Sequence, residues 1–150
     1  MSIKVEDASF VDLDKLYQIE TECFKKEAFT KSQIARLLGD YNSISLVARV
    51  EGQIVGFVIG VIYADRKTLH GHIYTIEVLP AYRRRGIGEK LLLKIESVFR
   101  QKDVEASSLE VREDNTAAIG LYVKLGYETV GKLKNYYRNA HGVYLRKTLA

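Results

Sequence analysis

A single cysteine among 150 residues rules out an intrachain disulfide and a cysteine-based zinc site. That residue, Cys23, falls in a helical pattern and is expected to be a small buried hydrophobe rather than a nucleophile. Long apolar runs are missing too. None approaches the ~20 residues of a membrane span, and no signal peptide is expected ahead of the first strand. The expectation is a cytoplasmic protein with no membrane partner. A net charge of +4 would permit nucleic-acid binding. Yet Lys and Arg are dispersed apart from one tight cluster, and no RNP-like or helix-turn-helix pattern organises the ten tyrosines. Nucleic acid is therefore not the expected partner. Internal repeats, linkers and low-complexity stretches are absent as well. Length and a 47% hydrophobic fraction suit one domain spanning 1–150.

What is present is concentrated in one segment. An apolar, β-branched stretch from Ile73 to Val78 runs into Tyr82-Arg83-Arg84-Arg85-Gly86-Ile87-Gly88, and an amphipathic helix pattern runs out of it. A helix start offers unpaired N–H groups and roughly half a positive charge, which favours an anion. Gly86 and Gly88 lack the Cβ atoms that would hold an anion off the backbone. Arg83, Arg84 and Arg85 add charge-assisted donors suited to phosphate oxygens. The pattern reads as a pyrophosphate site; its bland alternative is a basic helix start with a solvated charge run. A P-loop is excluded, because Glu89 and Lys90 follow with no hydroxyl for magnesium. A dinucleotide fingerprint is excluded too, since it needs three glycines in the first βα turn.

Periodicity supplies the elements around this segment. Ile3 and Val5 suggest a first strand. Leu13, Leu16, Tyr17, Ile19, Glu20 and Cys23 approximate a helical stripe, with Ser9 or Asp12 as N-cap, and Thr30 caps a second helix that Gly39 ends. Ser45 to Val50 and Ile54 to Tyr63 form a hairpin around Glu51-Gly52-Gln53. Leu69 to Val78 is a strand, Ile87 to Phe99 a helix, Ser107 to Val111 a short strand and Asn115 to Leu125 a helix stopped by Gly126. Tyr127 to Leu133 and Val143 to Leu149 make a last hairpin. The order β-α-α-β-β-β-α-β-α-β-β predicts a mixed α/β fold with helices on both faces of the sheet, and residues 73–111 must form a parallel crossover.

Arg83-x-x-Gly86-x-Gly88 resembles the acetyl-CoA signature of the GNAT acetyltransferases, whose element order this chain also follows. Within that family it is similar to the RimI-like and NatA-like protein N-terminal acetyltransferases. His70-Gly71-His72-Ile73, Leu109-Glu110-Val111-Arg112 with Asn115, Leu121-Tyr122 through Leu125-Gly126-Tyr127, and Asn135-Tyr136-Tyr137 carry the resemblance. It implies a GNAT fold, a central mixed sheet of about six to seven strands flanked by about four helices. It also implies acetyl-CoA as donor, no metal, and protein or peptide N-termini as acceptors, ribosomal or nascent chains among them. By resemblance residues 83–88, Ile87 included, hold the pyrophosphate. Ile76 and Val78 bind the pantetheine arm by main chain where two strands splay, a backbone N–H near Val78 stabilises the oxyanion, and Asn115 contacts the arm by side chain. With no acyl-carrier motif around Cys23, direct transfer in a ternary complex is expected.

Three side chains are candidates for the chemistry. Glu110 interrupts an apolar strand near its carboxyl end and matches the family's base position; the alternative is a strand-end glutamate paired with Arg112 or an exposed lysine. His72 shares a strand face with His70 and Tyr74 and matches another position where the family keeps a base; the alternative is a hydrogen-bonded structural histidine. Glu77, on the opposite face from His72, is expected to be structural and paired with a basic neighbour. Tyr122 sits in the helix after Asn115 and matches the family's general acid, or it packs the core; its phenol can protonate a departing thiolate. Phe24, Glu27 and Phe29 are expected to wall the acceptor pocket, with Glu27 and Phe29 falling where NatA-like proteins carry Glu and Tyr. Tyr136 and Tyr137 either clamp the peptide or form a cross-strand pair. The family's Pro-Trp-Ser and Leu-Pro-Glu-Asn-Tyr loops are absent, and Arg138-Asn139-Ala140-His141 replaces an acidic run. Two alternatives stand beside N-terminal acetylation: a GNAT enzyme acting on a small amine or a lysine side chain, and a non-enzymatic acetyl-CoA-binding regulator.

Overall fold

Glu51 and Gly52 both take positive φ, 51° and 80°, the pair that a two-residue type I′ hairpin turn requires. They reverse the chain between β2 (Ser43–Val50) and β3 (Gln53–Asp65). The computed structural model describes residues 2–149, the side chain of Lys26 excepted. Before the hairpin come β1 (Ile3–Asp7), α1 (Leu13–Phe24) and α2 (Lys31–Gly39). Thr30 starts α2 with a capping box, its hydroxyl accepting from Gln33 N–H while the Gln33 side chain takes Thr30 N–H, which satisfies two otherwise orphaned donors. After the hairpin follow β4 (Thr68–Val78), α3 (Ile87–Gln101), β5 (Val104–Arg112), α4 (Thr116–Lys124), β6 (Glu128–Tyr137) and β7 (Ala140–Thr148). Asn115 caps α4, and Gly126 at φ 101° leaves it.

The strands form one seven-stranded sheet in the order β1-β2-β3-β4-β5-β7-β6. Only β4 and β5 run parallel. Each face carries its own core. On one side α1 and α2 bury Leu16, Ile19 and Ile34 against Val47, Phe57 and Ile59. On the other, Leu91, Leu92, Ile95 and Phe99 of α3 lie against Val58, Ile73, Leu109 and Leu145. This is the mixed, doubly covered architecture that the element order implies, with the seven strands and four helices that the resemblance leads one to expect. Gly71 lets α3 settle close to the sheet: a Cβ there would stand 2.5 Å from the Phe99 ring, which is itself fully buried.

Two irregularities in β4 prepare the site. The pairing with β3 jumps from Gly60↔Ile73 to Ile59↔Thr75, so Tyr74 is an extra residue, a β-bulge. A bulge inverts the alternation of side chains beyond it. His72 and Glu77 therefore share the α1 face, contrary to the opposite faces expected from uninterrupted alternation. The second irregularity is a splay. β4 pairs with β5 only from Leu69↔Val104 to Ile73↔Leu109, while both strands continue. Between residues 74–78 and the end of β5 the sheet is open.

Candidate active site

The opening leads into a cavity of about 520 Å³. Its wall brings together His72, Glu110, Tyr122, Asn115 and Ile76 with Phe24, Glu27, Phe29, Tyr136 and Tyr137. Residues from both faces of the sheet line one space because the ladder stops at Ile73.

His72 and Glu110 meet there. Their strands are parallel neighbours in the register His72↔Ser108, and the imidazole Nε2 stands 2.6 Å from Glu110 Oε2. The other ring nitrogen, Nδ1, is 2.8 Å from the Ser108 hydroxyl. An ionised carboxylate only accepts, so Nε2 carries a proton toward Glu110, and in the neutral ring Nδ1 accepts from Ser108. Glu110 Oε1 is left facing the cavity, with the Tyr136 hydroxyl at a long 3.5 Å. The alternative of a Glu110–Arg112 pair is corrected. Arg112 instead holds Asp114 through Nε and Nη2, both at 3.0 Å, bonds Glu27 through Nη1 and Asn139 through Nη2 at 2.9 Å, and lies over the Tyr137 ring at 5.6 Å. One guanidinium thus ties the α1–α2 loop to the β6–β7 loop across the cavity mouth. Its partners span residues 27–139, and nothing in sequence spacing joins them.

Tyr122 is buried, and burial, with the nearby Glu77 and Tyr137, pushes its phenol far above the usual range. It keeps its proton at every working pH. Tyr137 is held protonated in the same way, chiefly by burial and then by Tyr136; the two rings meet edge to face at 5.0 Å. Asn115 accepts from Ala118 N–H at 3.2 Å, so its side-chain oxygen is committed to capping α4 while its amide NH₂ remains to donate.

Val78, Arg83, Arg84, Arg85, Gly86, Ile87 and Gly88 lie at the far end of the opening. Leu79 N–H bonds Val55 O of β3 at 2.8 Å, so strand alternation turns Val78 N–H and C=O the other way, toward the splay. The Val78 carbonyl accepts from Arg83 Nε at 2.9 Å, and the Cys23 thiol lies 3.7 Å from it. Cys23 is half-buried rather than core; burial raises its thiol, with Arg83 opposing. Arg85 stacks over the Tyr82 ring at 5.4 Å. Gly86 caps α3 in the left-handed region at φ 79°, and a Cβ there would meet nothing within 4 Å. A Cβ at Gly88 would sit 3.6 Å from Leu121 and 3.9 Å from Val78. Backbone N–H groups at the start of α3 are therefore open to a phosphate approaching closely, and these residues fit a CoA pyrophosphate.

Sequence reasoning missed a third group. Glu20, Thr75 and Glu77 are buried together on the α1 face, with Thr75 Oγ1 at 2.7 Å from Glu20 Oε1 and 2.6 Å from Glu77 Oε2. The expected basic partner of Glu77 is corrected: burial, Glu20 and Cys23 push its carboxyl well above the ordinary range. Ser108 was missed as well. A serine pair inside an otherwise apolar strand was its only signal.

Comparison with known proteins identifies the family. An N-alpha-acetyltransferase of Sulfurisphaera tokodaii is 32% identical over 151 residues, covering 95% of this chain and 90% of its own. The solved structure of Ard1 from Thermoplasma volcanium superposes with a TM-score of 0.91 at 27% identity, covering 100% of this chain and 99% of its own. The ribosomal-protein-S18-alanine N-acetyltransferase of Escherichia coli shares the fold, with a TM-score of 0.90 at 23% identity over 99% of this chain and 95% of its own. Residues 13–127 match the family described as the acetyltransferase (GNAT) family, and to that family this chain belongs.

Proposed function

We propose that this protein transfers an acetyl group from acetyl-CoA to the N-terminal α-amine of a protein or peptide, by direct attack in a ternary complex. The observation that carries the reading is the single cavity uniting the His72–Glu110 pair with Tyr122 and the two aromatic loops. The 32% identity to an N-alpha-acetyltransferase across nearly the whole of both chains supports it. Acetyl-CoA supplies the thioester to be attacked, with its pyrophosphate at the start of α3.

Glu110 takes the proton of the attacking amine at Oε1, the oxygen that His72 does not engage. His72 fixes the carboxylate from one side and is itself fixed by Ser108, so the base is held on two rigid strands. Val78 N–H, turned into the splay, donates to the developing oxyanion. Tyr122, protonated at working pH, gives its proton to the leaving thiolate. An α-amine has a reference pKa of about 8 and a lysine amine about 10.4, so one carboxylate base suffices for the former. Phe24, Phe29, Tyr136 and Tyr137 surround the acceptor's first residues. Protein N-termini, ribosomal or nascent chains among them, are the acceptors this reading requires.

The test is a panel of short peptides with varied first residues, each with a free and a blocked N-terminus, assayed with acetyl-CoA. Acetylation confined to free termini supports the reading. Efficient reaction of blocked, lysine-containing peptides with none on free termini overturns it.

A further inference from the structure

Thr75 has one hydroxyl proton, yet its oxygen makes two short contacts, 2.7 Å to Glu20 and 2.6 Å to Glu77. Two carboxylates cannot both be satisfied by one proton, so a second must be present. Its place follows from the other contacts. Glu20 accepts on both oxygens, from Thr75 and from Phe29 N–H at 3.0 Å, as an ionised carboxylate does. Glu77 Oε1 is buried and receives no N–H or O–H donor, a position that a charged group would not tolerate, and Glu20, itself an acceptor, lies within hydrogen-bond reach of the Glu77 carboxyl. The proton is on Glu77.

We propose that Glu77, Thr75 and Glu20 form a one-proton clamp, Glu77 donating to Thr75 and Thr75 to Glu20, that positions the acceptor wall through Phe29. The clamp rests on the reading of the cavity as the acceptor site. It ties the middle of β4 to α1 and, through the Phe29 amide, to the loop between α1 and α2. Phe29, Glu20 and Thr75 all line the cavity. The groups facing Glu77 are Glu20 and Cys23 from α1 and Tyr122 from α4, with Arg83 beyond Cys23. The strongest influences on Glu77 include no cation, and burial holds its carboxyl far above the ordinary range, in line with the proton count. All three are positioning residues that act on the acceptor through the loop they hold.

The experiment pairs spectroscopy with kinetics on the full chain. Infrared spectra at neutral pH should contain a carboxylic-acid C=O band that disappears in Glu77→Gln. Glu77→Gln replaces the acid by an amide that donates to Thr75 without a titratable proton, so its acceptor KM should stay within about threefold of the parent. Thr75→Val removes the bridge and should raise the acceptor KM about tenfold, the loss of roughly one hydrogen bond, with kcat and CoA affinity little changed. Thr75→Ser should restore it. The melting temperature of Glu77→Gln should gain on the parent as pH rises from 5 to 9, because the parent alone must keep a proton that its unfolded chain releases. Absence of the infrared band overturns the clamp, as does a Glu77→Gln protein whose KM rises as far as that of Thr75→Val. If the parent binds CoA but acetylates no free peptide terminus, the acceptor reading fails, and the infrared band and the melting slope still decide the proton.

Discussion

Replacing Glu110 by Gln removes the one carboxylate that faces both His72 and the open cavity. The side chain keeps its size, so the fold should be preserved and CoA binding at the start of α3 should not change. A positioned general base contributes roughly 10²–10⁴ in rate, equivalent to about 2.7–5.4 kcal/mol of transition-state stabilisation. The deficit should depend on pH in a particular way. At pH 7 only about a tenth to a sixth of an α-amine is neutral, and at pH 9 more than about nine-tenths is. Glu110→Gln should therefore recover up to about tenfold between those values, and the remainder of its loss should persist. His72→Ala leaves the carboxylate in place but unfixed, so its deficit should be smaller. Because the two side chains share one hydrogen bond of 2.6 Å, their effects should not multiply: the double variant should resemble Glu110→Gln alone. Stopped assays of kcat/KM against pH with a free-N-terminus peptide measure all of this. A double variant whose deficit equals the product of the single ones would refute the idea that His72 acts through Glu110. A rate that keeps climbing well past pH 9 would point to lysine as acceptor.

Tyr122→Phe should lower kcat while leaving CoA affinity nearly intact, since the phenolic proton matters only as the thiolate departs; undiminished turnover would reduce Tyr122 to packing. Gly86→Asp brings a carboxylate to the α3 start at a left-handed position that Asp tolerates, with no steric clash, so a folded variant should lose CoA binding in calorimetry; unchanged affinity would falsify that assignment. Gly71→Ala drives a methyl into the Phe99 ring and should destabilise the fold by about 1–3 kcal/mol in urea titration. Arg112→Ala should raise the acceptor KM and leave CoA affinity alone, because its bonds to Glu27 and Asn139 span the cavity mouth; an unaltered KM would show that the two loops stand without it.

Local signals were legible in the chain and long-range ones were not. Gly52 and Gly126 announced their turns because their backbone conformations exclude most other residues, and Thr30 announced α2 as an N-cap residue ahead of its apolar stripe. The pyrophosphate-type loop was equally local. By contrast β5 begins at Val104, earlier than the predicted Ser107, because Val104-Glu105-Ala106 is too short an alternation to announce a strand ahead of the polar Ser107 and Ser108. Both are buried, one accepting from Tyr127 Oη at 2.8 Å and the other bonded to His72. β6 runs on to Tyr137 through exposed polar residues, since as the sheet's outermost strand it has one neighbour and little apolar alternation to reveal it. The bulge at Tyr74 was invisible for a deeper reason. Alternation assumes an unbroken ladder, and the register of β4 is fixed by β3, not by its own residues; hence Glu77 was assigned to the wrong face. The contacts of Arg112 and of the Glu20–Thr75–Glu77 group join residues far apart in the chain, which only the fold brings together.

The splay between β4 and β5 makes the reaction centre a passage through the sheet rather than a pit in one surface. On the proposed function, donor and acceptor would have separate doors, CoA along α3 and α4, the polypeptide between the α1–α2 and β6–β7 loops. The bulk of the acceptor never competes with the nucleotide for room, so a terminus projecting from a large folded body or a long chain is as serviceable as a short peptide. Each product also retains its own exit. Product inhibition should follow suit, with CoA competing against acetyl-CoA and not against the peptide.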